Sequence, residues 1–222
     1  MKIVARIVSF FCIIGGLTLL IYVLSPIVAW YLFYEPSLTS QQLTSPIPQL
    51  VQDATDQVAK QPINSTDAKE WFSKPDNLPT KTAPKVMSYT LSIPKLHIKD
   101  ATVSTVSYDL GKQLIHYPGT PITPANGTGV IFGHSSLPQF YGTKNYKSIF
   151  TYLYTLKKGD EILLGFPHIT YRYIIENATI VKPTDNSVFA QNTSNSYLTL
   201  VTCVPPGTTW RRLLVRAKLE AL

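Results

Sequence analysis

The sequence predicts a mainly β domain, a barrel or sandwich of seven or eight short strands, preceded by a single apolar helix. Three observations carry that expectation. No charge falls between Arg6 and Glu35, proline punctuates a polar stretch over 36–87, and from Ser88 short β-like runs alternate with turn residues. The chain therefore divides into a cytoplasmic N-terminus and transmembrane anchor over 1–35, an extracytoplasmic Pro/Ser/Thr-rich tether over 36–87, and a globular domain over 88–222.

The anchor comes first in the chain. A bilayer core takes about 20 apolar residues as a helix, and the run from Ile7 to Tyr34 exceeds that. Pro26 marks either a kink or the passage into an interfacial aromatic group, Trp30, Tyr31, Phe33 and Tyr34. Lys2 and Arg6 precede the span and favour a cytoplasmic N-terminus, which puts everything after residue 35 outside a single-pass cell membrane protein. The apolar run is too long for a cleaved signal peptide, and no small-x-small site follows it. In the tether, the prolines between Pro36 and Pro84 imply a semi-stiff extended segment. Short amphipathic turns over 50–59 and 68–72 are possible caps on the domain.

The strand candidates are 88–93, 101–106, 129–133, 161–166, 170–181, 197–203 and 212–219. Lys157-Lys158-Gly159-Asp160 makes a turn before one of them. The best helical segment is 146–156, and 184–190 suits a short helical turn.

Composition excludes some functions. The net charge of +7 comes from scattered Lys and Arg without a dense basic run, so a nucleic-acid interface is not expected. No compact acidic cluster suggests a calcium cage, and no metal or cofactor is expected. Of the two cysteines, Cys12 lies inside the apolar run, so Cys203 is the sole thiol of the outer domain. Alone, such a thiol reads most simply as a small buried apolar residue.

Its neighbourhood argues otherwise. A cysteine nucleophile needs a route to thiolate, an acid for the leaving group and a donor for the oxyanion. Cys203 ends the run Tyr197-Leu198-Thr199-Leu200-Val201-Thr202 and is followed by Val204-Pro205-Pro206-Gly207. A hairpin there brings Arg211 or Arg212 alongside it, and period-two alternation by itself does not say which face holds a cleft. His134 closes the apolar run Val130-Ile131-Phe132-Gly133 at the mouth of a Ser-Ser-Leu-Pro loop, a position from which side chains project into clefts. His168 suits an exposed turn, and His97 sits on an alternating segment.

These residues resemble the sortase family. Leu198-Thr199-Leu200-Val201-Thr202-Cys203, a short loop and then Arg212-Leu213-Leu214-Val215 are similar to the family's C-terminal signature. His116-Tyr117-Pro118-Gly119-Thr120 and the segment from Asn126 to Gly133-His134-Ser135 resemble its Gly-His region, and Ser92-Ile93-Pro94-Lys95-Leu96 its opening strand. The likeness covers residues 88 to 220. It implies an eight-stranded β-barrel with one or two short helices. It further implies that Cys203 is the nucleophile, His134 the general acid/base and Arg212 the oxyanion donor. Thr202 then lies near the substrate, Val201 and Leu214 line its pocket, and His116 lines the cleft or serves structurally. The short 204–210 loop resembles classes D or E more than class A, and the tether lacks the Asp-Pro-aromatic lid motif of pilin-polymerising members.

The implied reaction is cysteine transpeptidation. The substrates would be proteins bearing a C-terminal LPXTG-like sorting signal, and the acceptor an amine of a cell-wall precursor or a pilin lysine. Two rivals use the same residues differently: a membrane-bound cysteine peptidase that releases to water, and a surface β-barrel binding module whose Cys203 is merely buried.

Overall fold

The computed structural model describes residues 2–39, 67–68, 71–72 and 86–220. The strands are β1 (Ser88–Ile93), β2 (Ile98–Ser104), β3 (Leu114–His116), β4 (Gly127–Phe132), β5 (Glu161–Phe166), β6 (Ile169–Val181), β7 (Ser196–Val204) and β8 (Arg211–Leu219). They close into one barrel in the spatial order β1-β2-β3-β4-β7-β8-β6-β5. Closure removes the unpaired edges that an open sheet of this size would expose.

Alternation sorts the side chains into two apolar clusters. Ile131 of β4, Leu198 and Leu200 of β7, and Leu213, Val215 and Ala217 of β8 fill the barrel interior. The intervening Val130, Phe132, Val201, Cys203 and Leu214 point outward into a second cluster. That second cluster is the floor of a groove across β4, β7 and β8.

Most strands fall where the hydrophobic pattern places them. Three features differ. The barrel is mixed, because β2 pairs with β3 and β4 pairs with β7 in parallel. The three-residue β3 leaves too short an apolar run to be read from local pattern. The segment 146–156 forms tight turns and one 3-10 turn, Leu153–Thr155, instead of a regular helix. Tertiary bonds hold it open: the Phe150 N–H donates to the His134 carbonyl at 2.9 Å, and the Thr102 N–H donates to the Tyr146 hydroxyl at 2.9 Å. The turn expected at 184–190 is a 3-10 turn, Asn186–Phe189.

Ahead of the barrel, α1 (Lys2–Ala29) continues through a π-helical turn (Trp30–Tyr34) into α2 (Glu35–Thr39). The segment Arg6–Tyr34 is long and apolar enough to cross a membrane. Its C-terminal end is not free of the barrel. Trp30 and Leu38 are buried, α2 lies against β6, and the Arg211 guanidinium donates to the Glu35 carboxylate at 2.6 Å. Among the described residues, the segment read as a tether thus packs on the barrel at Leu38, at Ala68 and at Val86. The amphipathic turn expected over 50–59 lies outside the described residues.

Candidate active site

Two strands, β7 and β8, and the loop that follows β4 bring three residues together. Cys203 and Arg212 are direct partners across the antiparallel β7–β8 pair. Phe132 of β4 is level with Val201 of parallel β7, and the Gly133 N–H extends that pairing by donating to the Val201 carbonyl at 3.1 Å. Past the end of β4, His134 lies between Gly133, whose carbonyl accepts from Thr202, and Ser135, whose hydroxyl donates to the Cys203 carbonyl, which puts it next to the end of β7 that carries Cys203. Gly133 is required for this. A Cβ there would collide with Phe150 and come within 2.7 Å of Leu114. On the other flank, Gly207 turns the β7–β8 loop at φ +83°, where a side chain would press on Leu137.

Hydrogen bonds fix the frame. The Thr202 hydroxyl donates to the Gly133 carbonyl at 2.8 Å, and the Ser135 hydroxyl donates to the Cys203 carbonyl at 2.6 Å. Thr202 therefore ties the strand end of His134 to that of Cys203, with its hydroxyl committed to backbone. Val201 and Leu214 share the groove floor with Cys203. His116 does not join them. Ile115 faces the groove, whereas His116 projects from the other side of β3, buried against the Tyr89 hydroxyl (2.6 Å) and Thr120. Burial holds its pKa down at about 4 against a weaker opposing effect of its bond to Thr120.

The side chain of Arg212 is fully buried. Its Nη1 donates to the carbonyls of Thr209 (2.9 Å) and Arg211 (3.3 Å), and Nη2 to that of Trp71 (3.3 Å). Its Nε has no acceptor among the described residues. An unspent donor on a buried cation beside a thiol is suited to a developing oxyanion. Arg211, the other arginine weighed from sequence, points to Glu35 instead.

Trp71 and Phe72, from the linker, close over the groove. Residues 67 and 109 form an antiparallel bridge, and the Ala68 N–H donates to the Tyr108 carbonyl at 3.2 Å. The Trp71 ring packs edge-on against Phe132 (5.5 Å) and lies 5.6 Å from the His134 ring. Phe72 packs on Phe132 and on Phe189, which with Val188 walls the groove. The Arg212 guanidinium sits 5.2 Å from the Trp71 ring centre, a cation–π distance. Local pattern shows 68–72 only as one possible cap; that it covers Cys203 is a tertiary fact. The clue in the sequence is an aromatic pair standing in a polar, proline-rich stretch.

This cover leaves Cys203 5% exposed and sets the electrostatics. Burial pushes the Cys203 thiol up, against the opposing pull of the Arg212 charge. Burial likewise lowers the His134 pKa; Asp109 opposes that shift and Lys147 adds to it. Both directions favour a neutral thiol beside a neutral imidazole while the cover is in place.

Comparison with known proteins bears on the family and the fold. The Sortase domain model matches residues 91–220. No curated protein matches the chain significantly. Among solved structures, a sortase D5 transpeptidase of Clostridium perfringens is 26% identical, with a TM-score of 0.50 over 60% of this chain and 79% of that one. Sortase C-1 of Actinomyces oris is 26% identical (TM-score 0.52, 63% and 76% covered), and sortase C1 of Streptococcus agalactiae is 28% identical (0.53, 64% and 72%). With the domain matched over most of the barrel and a cysteine, histidine and arginine converging in its groove, the chain belongs to the sortase family, the cysteine transpeptidases.

Proposed function

We propose that this sortase is anchored in the cell membrane by α1, with its N-terminus cytoplasmic and its barrel outside. There it cleaves an LPXTG-like C-terminal sorting signal and passes the acyl group to an amine of a cell-wall precursor or a pilin. One observation carries the chemical part: Cys203 and Arg212 are cross-strand partners, and the residues on either side of His134 hydrogen-bond to Thr202 and Cys203.

The cover must leave before a peptide can enter, because Trp71 and Phe72 fill the groove above Val201 and Leu214. His134 then takes the thiol proton as Cys203 Sγ attacks the threonine carbonyl carbon. The carbonyl electron pair moves to oxygen, where Arg212 meets the negative charge. As the oxyanion collapses the C–N bond breaks, and His134 returns its proton to the departing amine. This leaves a thioester on Cys203. An incoming amine gives up a proton to His134, forms the new amide and restores the thiol.

A quenched sorting peptide incubated with the full chain, with and without an added amine, tests this reading by mass spectrometry. The expected product is the amide of the added amine, formed by the wild type and absent in Cys203→Ala. Free acid as the sole product regardless of amine would identify a peptidase instead. Undiminished turnover in Cys203→Ala would sink the mechanism.

A further inference from the structure

The outer end of the anchor packs onto the barrel beside the active site. Trp30 is 2% exposed and belongs, with Leu38, to the same apolar cluster as the barrel interior. The Tyr154 ring, in the 153–155 turn, meets Trp30 edge-on at 5.0 Å and Tyr34 at 4.6 Å. The Glu35–Arg211 ion pair closes the contact, and Arg211 immediately precedes Arg212.

Helix length sets the height of this contact. The segment Arg6–Tyr34 has 29 residues, which at 1.5 Å per residue span roughly 43 Å. A bilayer with its headgroups is about 40–45 Å thick. With Arg6 at one surface, Tyr34 and Glu35 emerge at the other, and Trp30 lies one helical turn below them in the headgroup layer. Tyr154 reaches down to Trp30, so the 153–155 turn lies at that depth too. Trp210 adjoins Arg211 in the β7–β8 loop and is 56% exposed, an uncovered aromatic of the kind enriched at membrane surfaces.

From this continuity we propose that the barrel rests on the outer leaflet of the bilayer holding its own helix, with the 153–155 turn and Trp210 in the headgroup layer. Cys203 is thereby held at a set height near the membrane surface, where substrate and acceptor must meet it, instead of swinging on a long tether. The proposal rests on the reading of α1 as a membrane span, but not on the identity of the substrate.

The test uses the full chain in lipid nanodiscs, with Trp30→Phe and Trp71→Phe leaving Trp210 as the sole tryptophan. Elution with the disc establishes the anchor; a chain that elutes apart from discs overturns anchor and proposal together. In discs containing lipids brominated near the headgroup, Trp210 emission is expected to fall at least twofold relative to unbrominated discs. Unchanged emission from a disc-bound chain overturns the docking while leaving the anchor intact. Adding Tyr154→Ala with Arg211→Glu, which removes both contacts, is expected to abolish the quenching. Arg211→Glu with Glu35→Arg, which restores the ion pair reversed, is expected to retain it. Quenching that survives loss of both contacts overturns the role assigned to them. A peptide-turnover assay on the same discs reports separately on the transpeptidase reading.

Discussion

In the proposed mechanism Arg212 and Cys203 divide the work by charge and by reactivity. The guanidinium stays cationic when buried, because its proton is held far above neutral pH even after the downward pull of desolvation. It also offers donors in a planar fork, and two nitrogens already engage carbonyls of Thr209 and Trp71. Lysine supplies the charge without the fork. Arg212→Lys is therefore expected to lower kcat/KM on a sorting peptide by about a hundredfold, while iodoacetamide still labels Cys203. Loss of labelling together with turnover would instead point to a collapsed groove. Thr202 acts at one remove. Thr202→Val leaves the Gly133 carbonyl without its donor and is expected to cost about 1–3 kcal/mol in denaturant unfolding.

Trp71 and Phe72 pack over the cluster that holds Cys203, and at the scale of the element they are expected to limit access to it. Burying one large aromatic side chain contributes about 1.5–3 kcal/mol to closure. Trp71→Ala is therefore expected to shift the closed-to-open ratio by on the order of tenfold or more, read as faster Cys203 alkylation and faster peptide cleavage at pH 7. An unchanged alkylation rate would mean that the segment does not limit access. Closure also depends on pH. In the closed form the thiol pKa is raised and the His134 pKa is lowered. Deprotonation above the ordinary thiol value of 9.0 and protonation below the ordinary imidazole value of 6.5 therefore both favour opening. Tryptophan emission followed across pH is expected to show the covered form most populated between those limits, and Trp71→Ala to flatten the profile.

At the scale of the whole molecule, the barrel buries an imidazole in its interior by pairing both ring nitrogens. His116 bonds Tyr89 and Thr120 and holds a pKa of about 4 in the fold, against 6.5 for an ordinary imidazole. The unfolded chain therefore binds the extra proton first as pH falls. Stability is complete above about 6.5 and is lost on the way down to 4, by up to ~3 kcal/mol. Denaturant midpoints at pH 7 and 4.5 are expected to differ less in His116→Gln than in the wild type; an equal difference would place the acid sensitivity elsewhere.

What local pattern could state about this protein, it stated well. Apolar runs of period two mark seven of the eight strands, because a half-buried strand must alternate whatever its partners. Cys203, Arg212 and His134 were legible because each stands at the end of an apolar run beside a loop, in an order that resembles one family. Other features depend on partners distant in the chain. The three-residue β3 carries too few residues for a period, and the parallel pairing of β4 with β7 joins residues 69 positions apart. His116, in a motif beside the other site residues, turns inward because one step along a strand reverses the side a residue faces. The choice of Arg212 over Arg211 follows from the same parity once β7 and β8 are paired. The packing of Trp71 on Arg212 and of Glu35 on Arg211 joins residues about 140 and 176 positions apart. The sequence by itself thus determined the strands, the apolar N-terminal helix and the candidate site residues, which follow from local periodicity and side-chain chemistry. Only the tertiary structure decided what covers the thiol and where the anchor meets the barrel, since both are contacts between segments that carry no local mark of each other.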